Sequence, residues 1–178
     1  LAGRMMLDGS RAAIAIDAAT GLPGVPVHRD LQRLMAYWDD SRQGNPFPRR
    51  QDIDPVDLSF MLNRIALTEV HPGSQADAAA LAKTPPHRYR FRVVGSWWRD
   101  ITRLEMTGRW ASQLPDQRMI DITVDFYEAM IAIRRPLFAN RNVWIDDKRL
   151  NYQILIMPLS EDGERISMIV TGIGPGED

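Results

Sequence analysis

The chain has 178 residues, 22 Lys and Arg against 23 Asp and Glu, a net charge of −1, and no cysteine. That length suggests one domain plus a tail and is enough to bury a core. The lack of a basic excess argues against a nucleic-acid binder, and the lack of thiols removes disulfides, thiolate metal sites, cysteine nucleophiles and cysteine–flavin photochemistry together.

Residues 1–27 are rich in Ala, Gly and Pro and read as a partly disordered tail and linker, with the positions ahead of Met5 and Met6 left out of the fold reading. Residues 12–16 suit a marginal helical turn, and the TGLPGVP stretch at 20–26 suits a linker. No apolar run nears the roughly 20 residues that cross a bilayer. Asp8 and Arg11 interrupt the start, so no signal-peptide core forms. The expectation is a cytoplasmic protein in a reducing compartment.

Residues 28–174 read as a single domain. A helix is predicted over 30–43, because Leu31, Leu34, Met35 and Trp38 fall at i, i+3, i+4 and i+7; Gly44 stops it. Pro46, Phe47 and Pro48 are extended. Asp54 as cap, Pro55 at the first helical position and Asp57 near the positive end predict a short helix closing near Leu62. Residues 64–71 read as a strand and 72–86 as a polar, Ala-rich loop. Over 88–95, Arg88, Arg90 and Arg92 alternate with Tyr89, Phe91 and Val93, the period of a strand. Gly95 and Ser96 turn the chain into a helix bearing Trp97, Trp98, Ile101 and Leu104, closed by Thr107 and Gly108.

A longer helix is predicted over 117–134. It carries two apolar ladders, one of Met119, Ile122, Phe126, Met130 and Ile133, the other of Ile120, Val124, Tyr127 and Ile131. Pro136 ends it. Three strands follow at 137–146, 149–159 and 165–173, joined by tight turns at 146–148 and 161–163. The sum is an α+β fold: one five-stranded antiparallel sheet with helices on one face and an additional N-terminal helix.

Within this order stand local motifs: Tyr37 and Trp38; Pro48 and Arg49; Asp52, Ile53, Asp54 and Pro55; the apolar run 62–67; YRFRVVGS at 89–96; EMTG at 105–108; and MPLSEDG at 157–163. Over residues 30–173 the set resembles a family of small stand-alone bacterial PAS proteins. Ser96 departs from it, since Thr is expected after the glycine, but the hydroxyl is kept. The resemblance implies a PAS fold with strand order 2-1-5-4-3 and a sensory or protein-interaction role. It leaves the cofactor open, because PAS domains hold haem, flavins, small carboxylates, lipids or nothing.

Candidate chemistry is sparse. Of His28, His71 and His87, none lies on the long helix where a haem PAS usually carries its axial ligand, and none has metal-ligand spacing. His71 and His87 flank a loop and read as surface residues. Asp54 and Asp57 read as caps and not, with Asp52, as a cation site. No nucleophile elbow or phosphate-cradling glycine loop is present. Arg49 and Arg50 suit pairing with Asp52 or Asp57. Arg88, Arg90 and Arg92 read as an outer face, with Tyr89, Phe91 and Val93 toward the core; the alternative is an anion site, since Arg forks suit carboxylates.

Trp97, Trp98, Phe126, Tyr127, Trp144 and Tyr152 are expected around the space between helices and sheet. A ligand there would be walled by Trp97, Trp98, Tyr127, Trp144 and Tyr152, with Arg92 as the charge and the two tyrosines as polar handles. The N-terminal helix covers its own domain or makes a homodimer.

The reading is a non-enzymatic signalling module. No attached output domain is expected, so a signal is expected to pass to a protein partner or a second copy, with no nucleic acid, metal or membrane insertion involved. The alternative is a small cone-shaped α+β enzyme of isomerase or hydrolase type that uses a buried carboxylate. A membrane-surface scaffold would need a basic, apolar patch that the near-neutral charge does not offer.

Overall fold

The longest helix shows how the sequence sets its own limits. Asp116 accepts a hydrogen bond from the Met119 amide at 2.9 Å, which caps the start. Arg134 takes the left-handed conformation at the end, φ 55°, and Pro136 follows. Between them Ile120, Val124, Phe126, Tyr127 and Met130 are buried. Ile122 and Ile133, expected in the apolar ladder, lie on the solvent side instead.

The computed structural model describes residues 15–72, 88–145 and 147–176. In chain order the elements are β1 (Ala15–Asp17), β2 (Pro23–Gly24), α1 (Arg29–Ser41), β3 (Ile65–Val70), β4 (Tyr89–Val94), α2 (Ser96–Thr102), α3 (Gln117–Ile133), β5 (Leu137–Ile145), β6 (Lys148–Leu159) and β7 (Met168–Pro175). Short 3₁₀ turns stand at Arg50–Asp52, Leu62–Arg64 and Ala111–Gln113.

All strands join one sheet in the order β2-β1-β5-β6-β7-β3-β4. Its last five members are mutually antiparallel, and counted from β3 they run 2-1-5-4-3, the expected order. The strand count needs correction. Residues 15–17 and 23–24, read as helical turn and linker, are β1 and β2, so the sheet has seven strands. β1 runs parallel to β5, making the sheet mixed. The pairing satisfies backbone groups that a bare edge would leave open: the Ile16 amide donates to Pro136 and the Ala18 amide to Phe138, both at 2.9 Å.

Helices cover both faces. In β7, Thr171 is opposite Ile156 and Ala66 on the face of α3, while Gly172 is opposite Leu155 and Ile65 on the face of α1. Leu31, Leu34, Met35 and Trp38, the stripe read from the sequence, are all buried by α1 on this second face, each worth about 1.5–3 kcal/mol relative to exposure. Trp38 also donates its indole N–H to the Pro158 carbonyl at 2.9 Å. Covered on both sides, residues 155–159 are all buried, as in parallel sheets.

Two local expectations fail for physical reasons. Residues 55–60 form successive i→i+3 turns and no α-helix. Leu58 and Met61, three apart, both point into the core, which suits three residues per turn. Asp54 does cap locally, accepting from the Val56 amide at 2.9 Å. In β4 the register slips between Leu67, opposite Val93, and Thr68, opposite Phe91, so Arg92 is an extra residue in a bulge. Val93 therefore turns outward and is 47% exposed.

Candidate functional site

The sheet face beneath α2 and α3 is where the resemblance places a ligand. Tyr127 of α3 reaches down to it and shares a hydrogen bond with the Thr68 hydroxyl at 3.1 Å. Its ring lies 5.0 Å from that of Tyr89. The Tyr89 hydroxyl donates to Glu128, which also pairs with Arg88 at 3.2 Å. Burial pushes the Tyr127 phenol up; burial first, and Glu128 second, push Tyr89 far up. Both stay neutral and act as fixed polar links across the interior.

A second group lies at the β6 side. Trp97, Trp98 and Tyr152 pack edge to face, with ring centroids 5.0, 5.8 and 5.4 Å apart. The rings fill the space against one another. Burial pushes the Tyr152 phenol up to about 12.

Four of the six expected wall residues thus share a face: Trp97, Trp98 and Tyr152 in one cluster, and Tyr127 in the polar link. Trp144 and Arg92 do not join them. Trp144 is opposite Arg149 on the other side of β5 and is 72% exposed. Arg92 sits at the β4 bulge, its side chain 62% exposed and 3.8 Å from Glu69.

An open pocket lies elsewhere, between β4 and the segment after α2. A pocket of about 120 Å³ is lined by Phe91, Leu104, Met106, Trp110, Leu114 and Pro115, with Arg109 and Gln113 as polar members. Typical small-molecule sites measure ~300–1,000 Å³. Arg109 and Gln113 escaped the sequence reading because they belong to loop and 3₁₀ segments without periodicity. The one local signal is the Thr107, Gly108 turn directly ahead of Arg109. No Asp or Glu lines this pocket, and Glu128, near the interior, is engaged by Arg88 and Tyr89 and 39% exposed.

The remaining candidates have local roles. His28 caps α1, accepting from the Asp30 amide at 3.2 Å. His71 lies 3.1 Å from Glu69, with its ring 4.9 Å from Trp110. His87 falls outside the described residues. Asp52 pairs with Arg49 at 3.1 Å. Arg50 turns instead to the Ile53 carbonyl, at 2.9 Å. Among the described residues no cluster of three His, Cys, Asp or Glu could hold a metal, and no helix is long and apolar enough to cross a membrane.

Comparison with known proteins adds the family. No curated protein matches. Among solved structures, the PAS domain from Bordetella pertussis BvgS is similar, with 11% identity, a TM-score of 0.48, and coverage of 65% of this chain and 79% of that one. A sensory box sensor histidine kinase from Vibrio cholerae is similar at 15% identity and a TM-score of 0.44, covering 70% of this chain and 93% of that one. The sequence model of the PAS domain family matches residues 27–173. The chain belongs to the PAS domain family.

Proposed function

We propose that this PAS domain is a sensory and signalling module whose output is direct contact with a protein partner. The observation that supports this most is the arm formed by β5 and β6. β7 pairs with β6 only as far as Tyr152, opposite Pro175. β1 pairs with β5 only at Leu137 and Phe138. The Gly176 amide adds one more bond, to the Asn151 carbonyl at 2.7 Å. Residues 142–145 and 148–150 therefore form a two-stranded projection whose outer β5 edge has no strand partner among the described residues.

An unpaired edge is a template for another chain, which a partner satisfies by adding a strand. Trp144 on this arm supplies a large, rigid, mostly exposed contact, the residue type enriched at interface hot spots. A homodimer built on the apolar stripe of α1 has no such support, because that stripe faces its own sheet.

The test is affinity capture from a lysate of the source organism with the unaltered chain and with Trp144→Asp. One protein retained in stoichiometric amount by the first and lost by the second supports the reading. Equal retention by both, or none by either, contradicts it.

A further inference from the structure

The pocket beside Phe91 joins two properties. Its depth is apolar: Phe91 and Leu114 are buried, and Leu104 and Met106 are half-buried. Its polar members, Arg109 and Gln113, are exposed on the solvent side. The Gln113 carbonyl oxygen accepts from the Trp110 amide at 2.8 Å, which leaves its NH₂ group to donate outward.

Arg109 is the charged member. Four nearby arginines are engaged: Arg88 with Glu128, Arg90 with the Gly108 carbonyl and the Trp110 ring, Arg92 with Glu69, and Arg99 with Glu105; Arg103 does not line the pocket. The guanidinium of Arg109 makes no ion pair or hydrogen bond among the described residues. Arg109 therefore brings a positive charge with no ion-pair partner among the described residues to the mouth of the pocket, which favours anions.

We propose that this pocket binds a small monocarboxylate with a compact apolar body. The body lies against Phe91, Leu104, Met106 and Leu114, and the carboxylate meets Arg109 and the Gln113 amide. The volume sets the size. An apolar cavity of about 150 Å³ holds benzene, so about 120 Å³ open to solvent on one side takes a small ring or short branched chain with its charged end outside. A bare phosphate would leave the apolar wall unused, and a neutral isostere would leave Arg109 unpaired. Binding is expected in the micromolar to millimolar range for so few atoms. The inference goes beyond the protein-contact reading and does not depend on it, because its site and the β5–β6 arm share no residue.

The experiment titrates the full chain with benzoate, benzyl alcohol and inorganic phosphate, followed by ligand-observed NMR, and repeats this with Arg109→Gln. That side chain is exposed and makes no ion pair or hydrogen bond among the described residues, so the variant should stay folded. The expected result is benzoate binding at least roughly tenfold tighter than benzyl alcohol or phosphate, with the margin over benzyl alcohol lost in R109Q. No benzoate binding up to roughly 10 mM overturns the proposal. So does equal affinity for benzoate and benzyl alcohol, equal affinity for benzoate and phosphate, or an unchanged benzoate affinity in R109Q.

Discussion

Gly172 of β7 lies directly beneath Leu34 of α1: a Cβ at this glycine would stand 2.5 Å from Leu34 Cδ2, 3.0 Å from Leu31 Cδ2 and 3.2 Å from Met61 Cε. α1 therefore approaches the sheet as closely as it does because this position has no side chain. Gly172→Ala overfills the contact and is expected to cost about 1–3 kcal/mol, lowering Tm by about 2–4 °C per kcal/mol. Adding Leu34→Ala makes room, so the double variant should lose less than the two single losses added. Thermal melts of the four proteins check this; strict additivity would contradict the contact.

The link between Tyr127 and Thr68 can be measured in the same way. Thr68 is fully buried, and its hydroxyl meets that of Tyr127. Tyr127→Phe strands that hydroxyl, a loss of about 1–3 kcal/mol. Tyr127→Phe with Thr68→Val removes both partners and should recover part of the loss. Chemical denaturation of the set gives the coupling, which is expected to be favourable and non-zero.

Alkaline pH offers an independent check on the interior. The folded-state pKa values of Tyr89, Tyr127 and Tyr152 all lie above the ordinary 10.0, chiefly through burial. A raised phenol means the folded chain holds its proton where the unfolded chain loses it. The stability this contributes is complete below pH 10.0 and falls as pH rises through the folded values. Circular dichroism and phenolate absorbance recorded together should change in one transition above pH 10.0. Three phenols ionising near that pH in a chain that stays folded would contradict the buried placement.

On the acid side, the Arg64 guanidinium donates to Asp30 at 2.5 Å and holds its carboxyl below the ordinary 3.8. The sign is opposite: the contribution is present above pH 3.8 and is lost as pH falls through the folded value. Asp30 is partly exposed, so Asp30→Asn should cost only about 0.2–1 kcal/mol at neutral pH and flatten the loss of stability below pH 4 seen by denaturant titration.

The legible parts of the fold were those written locally. The i, i+3, i+4, i+7 stripe of α1, Asp116 and Pro136 at the ends of α3, and the alternation in β4 each reveal an element within a dozen residues. β1 was not legible, because its three residues are held as a strand by Leu137 and Phe138, far along the chain, and by a β2 of only two residues. Trp144 was misplaced because alternation gives a face only where something covers it, and the β5–β6 arm runs past the helices. The bulge at Arg92 shifts the alternation by one, which no local pattern announces. Arg109 was missed because its role comes from the walls folded around it.

The central claim, that the β5–β6 arm is the surface through which the module signals, is tested most directly by photo-crosslinking in cells of the source organism. A photoreactive amino acid is placed at position 144 or at position 56, Val56 being equally open to solvent on a different segment. The account predicts a discrete protein adduct from position 144 and none from position 56. No adduct from position 144, or the same adduct from both, would contradict it.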